Sequence, residues 1–476
     1  MRKVKSAVCA RKIIIERMET VMKYIDLQQS RDARDIEIII KKFKEGRLQD
    51  GDPVSVKGAI HHIKDMGEFA FVNVRSPRRV FQCVWEAGKS SFDIHDIQPE
   101  DWVLLDGRIA ADARSPLGFD IRMETITKVG GAVGSLPLEI SNDRKIKNLQ
   151  LDTMLNNRVV ALRNPRIRAI MRVADGVMYG FRSFLREEGF VEFVPPKLVM
   201  GGAEGGADMF MVKYFDQRAY LNQSPQQYKQ AMVGVFEKVF TVGPVFRGEN
   251  SNTPRHLTEF QGMDLEMGFI DSFEDLMELE ARMFVSIFDL LNREYADELD
   301  LVLGKDQRLP DLKTVQIPQI RFADAKELYA KTSGKKITDP VDLSPEEEKW
   351  LGQHFLAETG SPLVFVTHYP SVKRPFYAMD DPENPRYTLS YDLLLHGLEI
   401  TTGGQRIHDY EQQVAKMKKH HMDPADFENY LTMHKYGLPP HGGFGLGMER
   451  VVEKLLGLEN IREAAAFPRD RNRLQP

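Results

Sequence analysis

The sequence contains very little cysteine, with only Cys9 and Cys83 in 476 residues. The two residues lie far apart and form no CxxC pair, which argues against a disulfide scaffold and against a zinc site built from thiolates. So little cysteine is typical of proteins that work in a reducing compartment. We therefore expect a cytoplasmic protein.

Two other features are missing, a long apolar segment and an excess of positive charge. No apolar run approaches the roughly 20 residues that a membrane-spanning helix needs, so we expect no membrane contact. The 65 basic residues are outnumbered by 70 acidic residues, and the formal net charge is -5. Any contact with a nucleic acid must then come from local basic patches and not from the charge of the whole chain.

Changes in hydrophobic pattern divide the chain, whose length predicts two or three domains. Residues 1–50 are charge-rich and are predicted to be a helical extension. Residues 51–130 follow a turn signal and contain short β-rich runs, which predict a small barrel such as an OB-fold, a common oligonucleotide platform. Glycines make residues 131–165 a predicted hinge. Residues 166–476 mix helices and strands, and their polar segment 295–360 is predicted to be an insertion.

The beginning of the chain has its own pattern. Residues 1–25 carry many basic and few acidic side chains, and apolar residues recur there at helical spacing: Ile14, Met18, Val21, Met22 and Ile25. This spacing predicts a leading amphipathic helix. A transit peptide is the alternative, but the segment is poor in serine.

One segment combines residues suited to holding a nucleotide. Arg247 and Glu249 are two apart on a predicted strand and therefore point the same way. The planar fork of an arginine suits a phosphate or a carboxylate, and the glutamate can accept from an exocyclic amine. His256 lies beside a polar loop, and Phe260 offers a ring for stacking. A salt-bridged surface hairpin is an equally good interpretation of this segment alone.

A second segment is rich in glycine. Glycines alternate with apolar residues over 442–447, as in a strand whose backbone a ligand approaches closely, and a helix carrying Arg450 follows. The run lacks the GK[ST] ending of a phosphate-binding P-loop. A glycine-rich turn between core elements explains it equally well.

A third segment places two carboxylates, Asp392 and Glu399, in an apolar stretch. A buried charge needs a partner, and magnesium on phosphate oxygens is one candidate. Pairing with buried arginines is the alternative, and Arg406 lies close in sequence. Taken alone, this segment favours the arginine pair.

Together these segments resemble the class II aminoacyl-tRNA synthetases. The family's second and third signature blocks correspond to the Arg247/Glu249/His256/Phe260 set and to the glycine run ending in Arg450. Its first block resembles residues 189–196, where Pro196 stands in the place of the proline at the homodimer interface. All three blocks occur in the family's order. The resemblance runs from about residue 52 to the C-terminus. It implies an α+β protein, with an OB-fold barrel followed by a catalytic domain on an antiparallel sheet flanked by helices.

Within that family the chain resembles the aspartyl-tRNA synthetases of the archaeal and eukaryotic type. The matching stretches are 203–207, 223–230, 403–408 and 467–474. The resemblance implies an aspartate pocket made by Glu204, Gln226, Lys229, Arg247, Tyr377 and Arg406. Lys229 and Arg406 would be the two cations that hold the side-chain carboxylate. An asparagine amide would leave Lys229 buried and unpaired, which argues against an asparaginyl enzyme.

The resemblance also implies ATP and Mg²⁺ as cofactors. Arg247, Glu249, His256, Phe260, Glu399 and Arg450 would bind ATP. Arg247, Glu249, His256 and Arg450 would be the catalytic set, and Phe260 with Arg450 would enclose the adenine. Asp392, Glu399 and Thr402 would hold the metal.

The barrel resembles the anticodon-binding domain of the family. Phe71 and Gln82 stand where relatives stack on an anticodon base and hydrogen-bond to it, and Lys64 stands where relatives often carry arginine. A core Phe71 and a solvated Gln82 are the alternative. His61 and Pro116 resemble the enzymes that also charge asparagine tRNA, which implies a non-discriminating enzyme.

Four other functions compete with this interpretation. An asparaginyl enzyme is disfavoured by Lys229, and a lysyl enzyme by the lack of extra acidic selectors in the matched segments. A non-catalytic RNA-binding paralogue would be expected to lose a signature arginine or a metal carboxylate. An amide-forming paralogue would be expected to lack the barrel.

Overall fold

The computed structural model describes residues 33–201, 208–248, 250 and 253–476. The predicted leading amphipathic helix therefore lies outside the described residues. The chain forms two compact units, which divide between Leu136 and Pro137. Within the described ranges, no helix is both long enough and apolar enough to cross a membrane.

Five strands of the first unit close into a barrel, as the short β-rich runs predict. These strands are β1 (Pro53–Asp65), β2 (Phe69–Arg75), β3 (Val80–Glu86), β4 (Trp102–Ala111) and β5 (Phe119–Gly130). They neighbour one another in the order β1-β2-β3-β5-β4, and β4 pairs back with β1. Closure buries the apolar inner face and leaves the ring without a free edge.

A helix, α1 (Ile36–Lys44), precedes the barrel and shares its core. Asp35 caps the helix by accepting a hydrogen bond from the backbone N–H of Glu37. Ile36, Ile39 and Ile40 are buried among the inward-facing residues of the barrel. Residues before 51 therefore belong to the barrel core. The change from helical to strand spacing marks a change of secondary structure inside one compact unit.

The second unit is built on an eight-stranded sheet. The remaining strands are β6 (Val191–Glu192), β7 (Leu198–Val199), β8 (Met211–Tyr214), β9 (Gln217–Leu221), β10 (Lys238–Phe246), β11 (Glu259–Gly268), β12 (Gln319–Arg321), β13 (Leu363–Thr367), β14 (Ser390–Leu395), β15 (Leu398–Arg406) and β16 (His441–Gly447). The order in the large sheet is β12-β13-β14-β15-β16-β11-β10-β6, and β7-β9-β8 form a small separate sheet. Only the outermost pairs, β12 with β13 and β10 with β6, are parallel. The predicted α+β architecture is confirmed.

The second unit also contains helices. They are α2 (Asp143–Lys147), α3 (Leu151–Asn156), α4 (Arg158–Ala161), α5 (Pro165–Glu187), α6 (Gln226–Phe236), α7 (Glu274–Glu294), α8 (Ala296–Val302), α9 (Phe322–Ser333), α10 (Pro345–Thr359), α11 (Tyr410–Lys419), α12 (Glu428–Lys435) and α13 (Met448–Leu455). The two longest, α5 and α7, share one apolar core with the sheet strands. Among the described residues this core is larger than the barrel core and larger than the two smaller apolar clusters around Phe322 and Phe376.

The pleat of β11 shows how the sheet separates core from site. Met263 and Leu265 are buried in the apolar core, whereas Asp264 and Glu266 alternate with them and point to the opposite face. That opposite face carries polar groups from neighbouring strands as well. The functional site is therefore expected on the side of the sheet away from α5 and α7.

Two predicted segments look different in the structure. Residues 131–165, predicted as a hinge, contain the three short helices α2, α3 and α4. Residues 295–360, predicted as an insertion, include β12, which extends the main sheet by pairing with β13. The short helices and the edge strand were not predicted from these polar segments, because such elements need few apolar residues.

Candidate active site and nucleic-acid interface

A cavity of about 750 Å³ opens on the polar face of the large sheet. Its walls come from β11, β15 and β16, from the first turn of α6 and of α13, and from the loop that follows β13. The sequence-predicted residues that line it are Gln226, Lys229, Arg247, His256, Phe260, Tyr377, Glu399, Thr402, Arg406 and Arg450. Residues that lie more than 200 positions apart in sequence thus meet around one volume large enough for a small-molecule ligand.

Lys229 lies at the bottom of this cavity and is only 1% exposed. Its Nζ lies 3.2 Å from Oδ1 of Asp264 and 3.3 Å from Oε2 of Glu266, and it donates to the carbonyl oxygen of Phe444 at 3.0 Å. The ammonium group is therefore held between two carboxylates. This contradicts the expectation that a neutral substrate would leave Lys229 unpaired, because the protein itself supplies its counter-charges.

Arg406 completes the same cluster. Its Nε donates to Oε1 of Glu266 at 2.9 Å, and its Nη2 donates to the carbonyl oxygen of Gly443 at 2.8 Å. Its guanidinium lies 5.3 Å from the ring centre of Tyr377 and 3.5 Å from Oε1 of Gln226. Within the described residues, no hydrogen bond engages its Nη1. That N–H group is therefore available to a ligand.

The charges of the cluster stabilise one another. Burial would raise the pKa of Glu266, but the charges of Arg406 and Lys229 outweigh it and hold that pKa below its usual value. Burial lowers the pKa of the neighbouring His441 to about 4, so this imidazole is neutral near pH 7. Two cations and two carboxylates then face each other with no net charge. A ligand carboxylate would enter beside N–H donors that are already fixed in place.

The glycines of β16 make room for this cluster. A Cβ at Gly445 would lie 2.6 Å from Oδ1 of Asp264, and a Cβ at Gly443 would lie 2.3 Å from Oε2 of Glu266. The glycine run therefore does mark a close approach. The groups that approach it are the two carboxylates that bind Lys229, not only a ligand.

The other end of the cavity offers flat surfaces. The guanidinium of Arg247 lies 5.6 Å from the ring centre of Phe260. A Cβ at Gly447 would lie 3.7 Å from the ring of Phe260 and 4.0 Å from Cγ of Arg450, so the missing side chain leaves space beside both. Arg450 is held by its Nη1, which donates to the carbonyl oxygen of Glu399 at 3.0 Å. An aromatic ligand would fit between a ring and a guanidinium here.

His256 lines this end of the cavity too. Its Nδ1 lies 2.6 Å from the hydroxyl oxygen of Thr253, which fixes the ring orientation. The neighbouring Arg255 lines the cavity as well and forms an ion pair with Glu348. Two basic side chains of the loop before β11 therefore border the space next to Glu399 and Arg450.

The predicted metal ligands come together. The hydroxyl of Thr402 donates to Oε1 of Glu399 at 3.2 Å and also lies beside Asp392. Two carboxylates and a hydroxyl are oxygen donors of the kind that Mg²⁺ uses together with substrate phosphates. In the described ranges no group of three or more His, Cys, Asp or Glu residues is suited to a metal. The donor set thus fits a magnesium ion that would also need oxygen atoms from a ligand.

Asp392 has an arginine partner as well. Nη2 of Arg374 donates to its Oδ1 at 2.7 Å, and the guanidinium lies 4.0 Å from the ring centre of Tyr369. Burial raises the pKa of Asp392 to about 6, with Glu399 adding to the rise and Arg374 opposing it. The arginine pairing considered for this segment exists, but the partner of Asp392 is Arg374 and not Arg406. Arg374 and a magnesium ion could both bind Asp392, since a carboxylate has two oxygens.

Sequence reasoning missed several charged residues of the site. Asp264, Glu266 and Arg374 line it or support it, yet none belongs to the segments that were singled out. The pattern Asp264-Leu265-Glu266 was a usable signal, because two carboxylates that alternate with core residues must share the polar face of a strand. Arg374 gave no comparable signal in its loop.

Two predicted residues, Glu204 and Glu249, lie outside the described residues. Pro196 lies in an exposed segment, between the strongly exposed Val194 and Met200, and its carbonyl oxygen accepts a hydrogen bond from Nδ2 of Asn222 at 3.1 Å.

The predicted anticodon residues share the outer face of the barrel. Lys64 on β1 is the cross-strand partner of Phe71 on β2, and Gln82 lies on β3 beside β2. Phe71 is half-buried, stands outside the barrel core and packs edge-to-face on Phe69 with ring centres 5.5 Å apart. Nε2 of Gln82 donates to Asp120 at 3.0 Å. The alternative in which Phe71 is a core residue is therefore wrong.

His61 lies elsewhere than expected. The register of β1 against β2 shifts between Ile60 and His62, so His61 is the extra residue of a β-bulge and turns inward. Its Nδ1 lies 3.3 Å from Nη1 of Arg75, which forms a buried ion pair with Glu100. Pro116 is exposed in the loop between β4 and β5. His61 is thus not an exposed wall of the barrel face, and it can influence a ligand there only through the strand it bends.

A barrel with an aromatic outer face, together with a mainly antiparallel sheet whose cavity gathers fixed arginines and carboxylates, defines a class II synthetase. The profile of the family "tRNA synthetases class II (D, K and N)" matches residues 150–471. The chain belongs to this family, whose letters stand for aspartate, lysine and asparagine. Its substrates are therefore ATP, an amino acid and tRNA, and the family predicted from the sequence is confirmed.

Individual relatives are similar over nearly the whole chain. The aspartate–tRNA(Asp/Asn) ligase of Deinococcus radiodurans is 42% identical over 432 residues, which cover 90% of this chain and 96% of the relative. The aspartate–tRNA(Asp) ligase of Pyrococcus abyssi is 37% identical over 431 residues, covering 90% and 97%. Sequence similarity therefore points to the aspartate branch but includes enzymes of both tRNA specificities.

Solved structures give the same fold. The asparaginyl-tRNA synthetase of Pyrococcus horikoshii, complexed with asparaginyl-adenylate, has a TM-score of 0.82 at 32% identity and covers 90% of this chain and 97% of its own. The aspartyl-tRNA synthetase of Entamoeba histolytica has a TM-score of 0.81 at 28% identity, covering 96% of each chain. The fold is shared by aspartate and asparagine enzymes, so the amino acid must be inferred from the pocket.

Proposed function

We propose that this chain activates aspartate with ATP and transfers it to tRNA(Asp) and to tRNA(Asn). The observation that carries the proposal is the meeting of Lys229 and Arg406 at one end of a cavity whose other end holds Arg247, Phe260 and Arg450. An acidic amino acid and a nucleotide would lie there side by side. The names of the Deinococcus radiodurans and Pyrococcus abyssi relatives support aspartate as the amino acid.

The cluster around Lys229 favours aspartate over asparagine through hydrogen-bond polarity. At this end Lys229 contributes positive charge, since its three N–H groups already have acceptors, and Arg406 contributes N–H donors that require an acceptor oxygen. Both oxygens of an aspartate carboxylate accept. An asparagine side chain would turn one NH₂ group toward these donors, and unpaired buried donors cost about 1–3 kcal/mol each. Gln226 would hold the α-amino group, with Glu204 as its expected partner.

The reaction needs positioning and charge stabilisation but no protein nucleophile. The α-carboxylate of aspartate would attack the α-phosphorus of ATP, the bond to the β-phosphate oxygen would break, and pyrophosphate would leave. Arg247 would bridge the amino acid and the α-phosphate, while His256 and Arg450 would bind the outer phosphates. Charge that develops on the phosphate oxygens would then meet fixed cations. The adenine would lie between Phe260 and Arg450, with Glu249 as the expected acceptor for its amine.

Magnesium would be held by Asp392, Glu399 and Thr402 together with phosphate oxygens of ATP. When bound, the ion supplies positive charge that neutralises the outer phosphates. Thr402 links the two carboxylates, so its hydroxyl would keep them oriented toward one ion.

Assembly and location complete the proposal. Pro196 and the exposed apolar residues beside it would lie in a homodimer interface, where burial of Val194 and Met200 is favourable. The barrel face with Lys64, Phe71 and Gln82 would bind the anticodon by stacking and hydrogen bonding. A cytoplasmic location is supported by the free, buried thiol of Cys83.

The test of the amino acid is ATP–pyrophosphate exchange with each standard amino acid. We expect aspartate to give exchange at least about 100-fold faster than asparagine, because discrimination through unpaired hydrogen-bonding groups reaches this size. The wild-type enzyme without amino acid is the control for background exchange. Equal rates with asparagine, or exchange only with lysine, would contradict the proposal.

The test of the tRNA specificity is aspartylation of two purified transcripts. We expect both tRNA(Asp) and tRNA(Asn) to accept aspartate, with kcat/KM values within about tenfold of each other. The reason is that the side chain of His61 turns inward and does not project from the barrel face to exclude a third anticodon base. A third transcript with an unrelated anticodon serves as the control. Charging of tRNA(Asp) alone would show a discriminating enzyme.

A further inference from the structure

The helix α10 sits unusually close to the strand turn that precedes Glu399. A Cβ at Gly352 on α10 would lie 2.3 Å from the backbone nitrogen of Gly397, the turn residue between β14 and β15. A Cβ at Gly397 would in turn lie 2.6 Å from the Cα of Lys349, and Gly397 has a φ of +73°. Both glycines are therefore needed for this contact. The helix is fixed against the hairpin that carries Asp392 and Glu399.

This contact directs one side chain of α10 toward the active site. Glu348 is 8% exposed, and its carboxylate forms an ion pair with Arg255, a residue that lines the cavity. The charges of Glu399 and Arg450 are close enough to influence Glu348. The ion pair therefore lies at the end of the cavity where the outer phosphates of ATP would bind.

The neighbouring residue shows what a purely structural glutamate on this helix does. Oε1 and Oε2 of Glu347 accept hydrogen bonds from Nζ of Lys326 at 2.7 and 2.8 Å, and Glu347 also closes the capping box with Ser344. These contacts tie α10 to α9, away from the cavity. Glu348 instead pairs with Arg255, which belongs to the loop before β11.

We propose that Glu348 is a positioning residue that holds Arg255 in place for the β- and γ-phosphates of ATP. The proposal rests on the proposed function and gives residues 295–360 a role in it. An unrestrained arginine loses side-chain entropy when it binds a ligand. A carboxylate that fixes the guanidinium beforehand removes part of this cost. Its remaining N–H groups stay free to bind phosphate, because a guanidinium has five.

The test compares Glu348→Gln with Glu346→Gln. Glu346 is an exposed residue of the same helix that pairs with Lys335 at the surface. In aspartate-dependent exchange we expect Glu348→Gln to raise the KM for ATP roughly tenfold, the size of a lost charged hydrogen bond, with kcat and the KM for aspartate nearly unchanged. Glu346→Gln is expected to behave like the wild type. A KM for ATP within twofold of wild type in Glu348→Gln would overturn the proposal.

A double-mutant cycle separates positioning from general damage. If Glu348 acts through Arg255, the double variant Arg255→Ala with Glu348→Gln has the same KM for ATP as Arg255→Ala alone. Additive effects would show that Glu348 acts by another route. Calorimetric binding of a non-hydrolysable ATP analogue tests the same cycle without any amino acid. It therefore stays informative if aspartate-dependent exchange fails, an outcome that would count against the proposed function and not against the Glu348–Arg255 pair.

Discussion

Replacing Lys229 with methionine is expected to reduce kcat/KM for aspartate in ATP–pyrophosphate exchange by about 10²–10³-fold. Methionine keeps the length and apolar part of the side chain but removes the ammonium group. Glu266 would keep its ion pair with Arg406, whereas Asp264 would lose the ammonium group, and breaking a buried ion pair in this way costs about 3–5 kcal/mol. The positive charge beside the substrate carboxylate would be lost as well. Because Lys229 lies at the amino-acid end of the cavity, the KM for ATP is expected to change by less than about threefold.

A second buried lysine provides a matched control. Lys326 is 4% exposed and is also paired with a carboxylate, that of Glu347, at 2.7 Å. It lies between α9 and α10 and does not line the cavity. Lys326→Met is therefore expected to lower the melting temperature about as much as Lys229→Met but to leave the KM for aspartate unchanged. If both variants lost aspartate activation to the same extent, the effect at Lys229 would reflect loss of stability.

The Lys229 experiment also tests a corrected idea about specificity. The sequence suggested that an uncharged substrate would leave Lys229 without a partner, and this is wrong because Asp264 and Glu266 already provide one. Selection of aspartate must then depend on how its side chain binds to a cluster whose charges already balance. Donor groups fixed by internal carboxylates cannot turn away from an amide, so they discriminate by hydrogen-bond polarity as well as by charge.

How much of this could be predicted from the sequence depends on the range of the interactions. Arg247, Phe260 and Arg450 were recognised because each lies in a short segment with its own chemistry, and the structure brings them to one cavity. The counter-charges were not found, because Lys229 lies on helix α6 and its partner Asp264 is 35 residues away on strand β11. Only pairing of β11 with β16 shows why Gly443 and Gly445 must lack side chains.

Register was the second limit. The sequence placed His61 on the binding face of the barrel by its position in the family pattern. One extra residue in β1 reverses which side chains point outward, and a bulge leaves no reliable sign in a run such as His61-His62. Phe71 and Gln82, which the resemblance assigned to the anticodon face, lie in β2 and β3, away from the bulge.

The second large effect is expected from Glu280 on α7. Its carboxyl group is fully buried, and among the described residues neither oxygen makes a hydrogen bond of ordinary geometry. It faces the hydroxyl groups of Tyr391 and Thr401, on the core side of the strands that carry Asp392 and Thr402. Burial raises the pKa of Glu280 to about 8 and the charge of Asp392 adds to the rise, while the two hydroxyl groups oppose it. The group is therefore neutral in the folded protein near pH 7.

A carboxyl group whose pKa is raised by folding destabilises the protein as pH increases. Below about 4.5, the ordinary value, it is neutral in both states, and its contribution to the free energy of unfolding is complete. Between about 4.5 and about 8 the unfolded state ionises and the folded state does not, so that contribution is lost at about 1.4 kcal/mol per pH unit. At pH 7 the accumulated loss is on the order of 3 kcal/mol.

Glu280→Gln should remove this dependence, because glutamine is neutral at every pH and has nearly the same shape. Its free energy of unfolding is expected to approach that of the wild type near pH 5 and to exceed it by on the order of 4 kcal/mol near pH 8. Denaturant titrations across this range measure the difference. Glu278→Gln changes an exposed residue of the same helix, at 77% side-chain exposure, and is expected to follow the wild type at each pH.

Parallel curves for Glu280→Gln and wild type would mean that Glu280 is ionised in the folded protein. A charge beneath β14 and β15 would then need a cation, and the buried Arg374 and Arg406 are already paired with Asp392 and Glu266. Glu280 is therefore expected to be neutral, because these buried cations already have carboxylate partners. The pairing of Lys229 and Arg406 with carboxylates likewise holds them in place for a substrate carboxylate.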